Sequence, residues 1–440
     1  MKRLLLLALC FTISLNVSLL QAQEQTTLYY FDEIIDDDIL LGGGILNVSP
    51  NGKYAVGYDD IFMETGYVWD ATSKKLAMID TGAGESVLVN DVDDNGTILG
   101  SFQNEDGIYS PGYLKDGEWH SLPVPEDIKE SGRKDSDYAP IAQAFSADGK
   151  IIGGTIYYNE GKFRPVLWID GKLQEFPDLQ LEGQGFYLYD ISNDGSIIAG
   201  WTESSMGDRI AAIIVNGELK KLYEPDMENE DRFFLECIAS HVDAKGNVTG
   251  YITDDDAILH GFIYNEKDGL KYISEGPIGC SLNDNCVFGS ISVWGDASII
   301  KDGEESTLKE FLKLDTDKFI STVTACSADA KILAGSGICA NDMGAFSVPY
   351  VIELSEESRG EITSIQQQNV DKNSVSLSSG GQLFITGSYT GVCVYSTTGS
   401  CVTKDNQQGH IINLSQLPSG MYIVKVVNGN QSQSFKVFKR

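Results

Sequence analysis

The chain has 440 residues, too many for one ordinary hydrophobic core, so more than one domain or a repeat array is expected. Its 64 Asp and Glu outnumber its 32 Lys and Arg, and the net charge of −32 argues against nucleic acid and anionic lipid as partners. Eleven prolines and eight cysteines indicate neither a low-complexity chain nor a disulfide-dense miniprotein. Such an acidic surface suits a soluble extracellular protein and attracts divalent cations, calcium among them.

The N-terminus reads MKRLLLLALCFTISLNVSLLQAQ. Lys2 and Arg3 form a basic start, Leu4 to Leu20 is largely apolar, and Ala22 suits cleavage before Gln23, so residues 1–22 read as a secretory signal peptide. Thr12, Ser14, Asn16 and Ser18 interrupt the apolar run and argue against a permanent membrane span. Leu9 is too bulky to make Cys10 a lipid-attachment site. Without Lys2 and Arg3 the mature chain carries a charge near −34. No later run approaches the roughly 20 apolar residues that a spanning helix needs.

A repeat follows. Pro50-Asn51-Gly52, Asp94-Asn95-Gly96, Ala147-Asp148-Gly149, Asn193-Asp194-Gly195 and Ala244-Lys245-Gly246 each precede a short run of mostly β-branched or small residues and then Gly57, Gly100, Gly153, Gly200 or Gly250. SLNDNCVFGS (281–290) and ACSADAKILAGSG (325–337) are degenerate copies. A second hairpin signal follows most copies, as in VLWIDGKLQEF (166–176), GYLKDGEWHSL (112–122) and AIIVNGELKKL (212–222). Asn-Gly and Asp-Gly favour tight hairpins because both central residues tolerate positive φ. Two hairpins make four strands per repeat, the size of one β-propeller blade. The expected fold is therefore all-β: a seven-bladed β-propeller over residues 23–354, with four antiparallel strands per blade.

One edge needs a partner. FSVPYVIEL (346–354) ends the last copy with no fourth strand after it, while LYYFDEI (28–34) precedes the first copy alone. The N-terminal strand is expected to pair with 346–354 and close the last blade. The copies resemble an extracellular repeat family named for a His-Ala-Phe signature, with HGFIY (260–264) the nearest local match. That resemblance covers about 45–354 and implies an exported propeller with no defined activity.

Residues 355–372 are polar and low in aromatics, and read as a linker. Residues 373–440 then predict a small β-sandwich through VSLSSGGQLFITG, VCVYSTTGSCV, HIINLSQLPSGMYIVKVVNG and SQSFKVFKR. VCVYSTTGSCV, LPSGMYIVKV and the basic end KVFKR resemble the C-terminal sorting domain of the type IX secretion system. Gly399, Leu417, Gly420, Met421 and Tyr422 fall where that family keeps such residues, and Lys436, Lys439 and Arg440 match its basic tail. The resemblance implies docking on the type IX secretion machinery and delivery to the outer-membrane surface or beyond in a Gram-negative bacterium. It also implies removal of this domain by a surface peptidase. An ordinary immunoglobulin-like binding domain is the bland alternative. Gly420 in a turn and Tyr422 in a core serve either.

Seven cysteines remain after signal removal, and an oxidising destination permits bridges. Cys280/Cys286, Cys326/Cys339 and Cys393/Cys401 are close enough in sequence to staple local hairpins, leaving Cys237 odd; buried free thiols are the alternative. His120, His241, His260 and His410 form no zinc pattern, and neither a GxSxG elbow nor a GxxxxGK[ST] loop is present. LGGGIL (41–46) lacks the strand-to-helix context of a phosphate loop, and FDEIIDDDI (31–39) reads as a solvated acidic run. Asp91 to Gly96 resembles half of a calcium loop, but Phe102 stands where Glu is required, so a plain turn is expected.

The sequence therefore predicts a secreted propeller that binds an unknown protein or glycan at one end of its channel, with no resident cofactor, no catalytic residue assignable and no span after signal removal. The rival is a polysaccharide hydrolase or lyase using two carboxylates roughly 5–9.5 Å apart. Two close carboxylates beside stacked aromatics would favour that rival.

Overall fold

A computed structural model of the protein describes residues 25–32 and 43–439, apart from 59–65, 80–86, 129–133, 135–137, 147, 159–160, 178, 182, 224–235, 255–257, 284, 293–294, 342–343, 364–373, 378–381, 387–389, 397–398, 406–410, 415 and 429–430. The expected signal peptide and most of the acidic run 31–39 lie outside the described residues. The chain divides into two compact units, residues 1–363 and 364–440.

Seven four-stranded antiparallel sheets make up the described part of the first unit. They are numbered 1 to 7 by their leading strands: Gly44–Val48, Val87–Val92, Ile141–Phe145, Phe186–Ile191, Ile238–Val242, Ile278–Asn283 and Phe319–Cys326. Sheets 1 to 6 each use four strands consecutive in sequence. Sheet 7 takes its fourth strand, Thr27–Tyr30, from the other end of the unit. Leu28 pairs with Ile352, Tyr29 with Val351 and Tyr30 with Tyr350, beside the edge that the sequence left without a partner.

Local chemistry explains the repeated turn. In sheets 1, 3, 4 and 7 a serine hydroxyl (Ser49, Ser146, Ser192, Ser327) accepts the backbone N–H that starts the second strand, at 2.9–3.0 Å. In sheets 2 and 5 the carboxylates of Asp93 and Asp243 accept the N–H one residue before the second strand, from Thr97 (2.7 Å) and Asn247 (2.9 Å). The Gly of each full copy, from Gly52 to Gly246, has positive φ. In the seventh copy Ala330 takes that conformation at φ 55, which a side chain adopts only with strain. In the second hairpins, Asp116-Gly117, Asp170-Gly171, Asn216-Gly217 and Asp302-Gly303 have positive φ at both positions, as a type I′ turn requires.

Every leading strand also carries a β-bulge, an extra residue that bends the strand. The residue just before the extra one is opposite a glycine: Ile45 and Gly57, Val89 and Gly100, Ala142 and Gly154, Leu188 and Gly200, Ala239 and Gly250, Ile278 and Gly289, Val323 and Gly335. A Cβ at Gly100, Gly200 or Gly250 would lie 1.9 Å from a carbonyl oxygen of the leading strand. The second glycine of the repeat is thus the room that the bulge needs, except in the third copy, where Gly154 and not the expected Gly153 stands there.

Hydrophobic clusters fill the space between successive sheets. Val56 meets Val89 and Ile98 between sheets 1 and 2, Leu99 meets Trp168 between 2 and 3, and Leu167 meets Phe186 between 3 and 4. Ala211 meets Phe262 between sheets 4 and 5, Ile263 meets Val287 between 5 and 6, and Phe288 meets Tyr350 between 6 and 7. The last cluster returns to the start, with Ile45, Tyr67 and Trp69 of sheet 1 against Ile332, Ala334 and Val351 of sheet 7.

Two short helices interrupt the strands: α1 (Leu308–Leu312) and α2 (Glu356–Thr363). Helix α2 occupies the first half of the stretch expected to be a linker. Ser355 accepts the Ser358 N–H at 3.1 Å, and Ile362 is buried in the cluster between sheets 6 and 7. Among the described residues no helix is long and apolar enough to cross a membrane.

The second unit contains a three-stranded sheet (Ser374–Leu377, Gln382–Thr386, Ile411–Asn413) and a four-stranded sheet (Gly391–Ser396, Cys401–Asp405, Gly420–Asn428, Gln431–Lys439). Leu383 and Ile412 of the first share a core with Val392, Tyr422, Val424 and Val437 of the second.

Candidate functional site

The two ends of the leading strands differ in chemistry. Where they run into the tight turns lies a cavity of about 210 Å³, lined from all seven sheets by Asn47, Asp91, Phe145, Asp190, His241, Ser281 and Cys326, among others. It holds carboxylates, but these are already engaged. Asp91 accepts the Val92 N–H at 2.7 Å and, across the junction, the Phe145 N–H at 2.8 Å. Asp190 accepts the Ile191 N–H at 2.8 Å and, across to sheet 5, the Val242 N–H at 2.7 Å. Its Oδ2 also lies 3.0 Å from Nδ1 of His241. Asp93 caps its own turn, and Asp94 accepts the Asn51 N–H from sheet 1 at 2.7 Å. The half calcium loop of the sequence is therefore a turn whose oxygens hold backbone N–H groups.

Two of these groups are shifted, the first by burial and the second against it. Burial pushes the Asp91 carboxyl up to about 8, against the two N–H bonds that favour its anion. His241 is raised to about 9, because the Asp190 carboxylate outweighs the burial that would discharge the ring.

Aromatic side chains gather at the opposite end, where the leading strands begin. Tyr187 and Trp201 face each other across sheet 4 and stack at 5.8 Å and 11°. Phe163 of sheet 3 meets Trp201 edge-on at 5.0 Å, and Tyr157 and Tyr138 extend the series. The Arg209 guanidinium lies 5.0 Å from the Trp201 ring and pairs with Glu236 at 2.7 Å. Tyr189 packs on Tyr187 at 5.2 Å. Burial raises the Tyr187 phenol; Tyr58, from sheet 1, adds to the rise. Burial also raises Tyr251, to about 12, with Glu236 contributing. Gln143 donates to the Tyr187 hydroxyl at 2.8 Å, while its own carbonyl oxygen is buried without a hydrogen-bond partner among the described residues. Around this end Tyr138, Met206 and Ile258 are 45%, 66% and 51% exposed.

Of the other histidines, His120 stacks on Tyr113 and His260 pairs with Asp254 at 2.8 Å; His410 is outside the described residues. Among the described residues no group of three or more His, Cys, Asp and Glu is arranged to hold a metal ion. The sequence could not bring Asp91, Asp190 and His241 together, because 99 and 51 residues separate them and only the packing of sheets joins them. The aromatic cluster was equally hidden; its one legible signal was that Tyr187 and Tyr189 alternate with core residues in one strand.

The expected sorting residues lie in the second unit. Gly399 has φ 83 and closes a turn with its N–H on the Ser396 carbonyl, at 3.0 Å. Leu417 packs against the core, and Tyr422 is buried with its hydroxyl donating to the Pro418 carbonyl at 2.7 Å. Gly420 has φ 157 and pairs with Lys439, whose ammonium donates to the Leu417 carbonyl. Lys436 is exposed on the last strand. Arg440 is outside the described residues.

No curated protein sequence matches the chain. Among solved structures, YCF48 bound to D1 peptide is 12% identical, covering 75% of this chain and 95% of that one with a TM-score of 0.43. The β-propeller domain of the Trilobed protease from Pyrococcus furiosus is 14% identical, covering 64% and 94%, with a TM-score of 0.39. PorZ, a bacterial surface component of the type-IX secretion system of Porphyromonas gingivalis, is 13% identical, covering 89% and 74%, with a TM-score of 0.23. Residues 369–440 match the secretion system C-terminal sorting domain, and this tail indicates secretion by the type IX route to the cell surface or extracellular space of a Bacteroidetes-like bacterium.

Proposed function

We propose that the first unit is a closed seven-bladed β-propeller that acts at or beyond the cell surface as a non-catalytic binding module for an extracellular protein or glycan. Residues 1–22 serve as its signal peptide. Gly399, Leu417, Gly420, Tyr422, Lys436 and Lys439 shape the domain that docks on the secretion machinery. The ring reading is supported by the order of the clusters, which run from sheet 1 to sheet 7 and back to sheet 1. A closed ring leaves each sheet only a short exposed edge.

The separation of the two chemistries carries the binding reading. A glycosidase needs carboxylates and a sugar platform in one cleft. Here Asp91 and Asp190 bind backbone N–H groups at the turn end, and at the ring end the Glu236 carboxylate is paired with Arg209. Tyr, Trp and Arg are the residue types that carry binding energy at interfaces, and stacked rings lose little entropy when a partner arrives. Tyr58, Tyr187, Tyr189, Trp201, Arg209 and Tyr251 supply such a surface.

The test is a glycan array and a cell-surface pull-down with residues 23–363. Binding is expected, and Tyr189→Ala with Trp201→Ala is expected to weaken it at least about tenfold, the scale of one lost hot spot. Release of reducing sugar from a polysaccharide by the purified chain would overturn the binding-only reading.

A further inference from the structure

We propose that Cys280 and Cys326 form a disulfide across the junction of sheets 6 and 7 once the chain has left the cytoplasm. Sheets 6 and 7 are joined by the Ser321 hydroxyl donating to the Gly295 carbonyl at 3.5 Å, and five of the other junctions use polar links between or beside their leading strands. Asn90 donates to the Ala142 carbonyl, Thr155 accepts from Leu188, Asp190 accepts from Val242, Ser281 donates to Asp243, and Thr324 donates to the Ile45 carbonyl. Between sheets 6 and 7 the leading strands approach so closely that a Cβ on Gly279 would lie 2.1 Å from the Val323 carbonyl oxygen. That contact brings the next residue, Cys280, into one cluster with Cys326, among the apolar side chains packed between the two sheets. The Cys326 sulfur is 4.0 Å from the Ser281 carbonyl.

Two of the three bridges suggested by sequence spacing, those within sheets 6 and 7, fit less well. Cys286 pairs with Asn283 and Cys280 with Phe288, so those two cysteines do not face each other across their hairpin. Cys326 pairs with Leu333, and Cys339 is six residues further along that strand, about 20 Å away at strand rise and far beyond the span of a disulfide.

The chemistry balances as thiol–disulfide exchange with a disulfide oxidant, either a periplasmic oxidoreductase or oxidised glutathione. Cys326 attacks as the thiolate, forming a mixed disulfide and releasing one oxidant thiol. Cys280 then gives up its proton, attacks the Cys326 sulfur and releases the second. Two thiols are oxidised and one disulfide is reduced. The order follows from the surroundings: the neighbouring Cys280 thiol and the charge of His241 hold Cys326 below the usual thiol range, while burial pushes Cys280 up.

The test uses the chain from residue 23, purified reduced and incubated with oxidised glutathione, then denatured, alkylated and mapped by mass spectrometry. This makes it independent of the ligand reading. The expected result is two of the seven cysteines protected in one linked peptide pair carrying Cys280 and Cys326. Dithiothreitol should then lower the melting temperature of the wild type and leave that of the Cys280→Ala/Cys326→Ala variant unmoved. Full alkylation, a stable glutathione adduct on Cys326, or a Cys280–Cys286 or Cys326–Cys339 link overturns the proposal.

Discussion

Asp91 and Asp190 show how a buried carboxylate can be structural. Each crosses a sheet junction to take a backbone N–H of the next leading strand, at 2.8 and 2.7 Å. Asp91→Ala leaves the Val92 and Phe145 N–H groups unsatisfied and is expected to cost about 2–4 kcal/mol in denaturant melts. The pH dependence follows from the same groups. His241, raised to about 9, contributes stability that is full below its ordinary 6.5 and lost as pH rises through 9. Asp91, raised to about 8, must ionise while buried, so it also lowers stability as pH climbs from about 4 to 8. The melting temperature should therefore fall between pH 6.5 and 9. His241→Gln should flatten that fall, and an unchanged slope would show that the Asp190 pair contributes nothing.

The decisive element is the bulged leading strand with its opposing glycine. Gly250→Ala places a Cβ 1.9 Å from the Ile238 carbonyl oxygen. Forcing that strand aside is expected to cost about 3 kcal/mol, the scale of an overpacked core. Gly217→Ala, in an open hairpin turn with φ 83, meets no atom within 4 Å and carries only backbone strain of about 1 kcal/mol. Thermal melts of both variants check the ranking. The spacing of these glycines was legible in the sequence because they recur after every turn. Their reason was not, since a bulge is defined by the partner strand. Helix α2 was illegible for another cause: its residues are mostly polar, and it is held by Ser355 and by Ile362 burying itself in a core assembled from distant sheets.

At the scale of the whole molecule, Thr27–Tyr30 completes a sheet whose other strands lie about 290 or more residues away. Deleting residues 23–32 bares the Gly344–Glu353 edge, and a lower melting temperature with aggregation on heating is expected, measured by light scattering. The sequence by itself determined the repeat, the hairpin turns, the unpaired terminal strand and the sorting tail, because each depends on local backbone preference or on a motif contiguous in the chain. Tertiary structure alone decided that Asp91 and Asp190 lie at the end opposite the Tyr187–Trp201 stack and that Cys280 and Cys286 share one cluster with Cys326 of the next sheet. It also set the charge of His241. Those outcomes depend on which strands pack side by side, and residues 40 to 50 apart become neighbours only when each sheet buries its apolar face against the next.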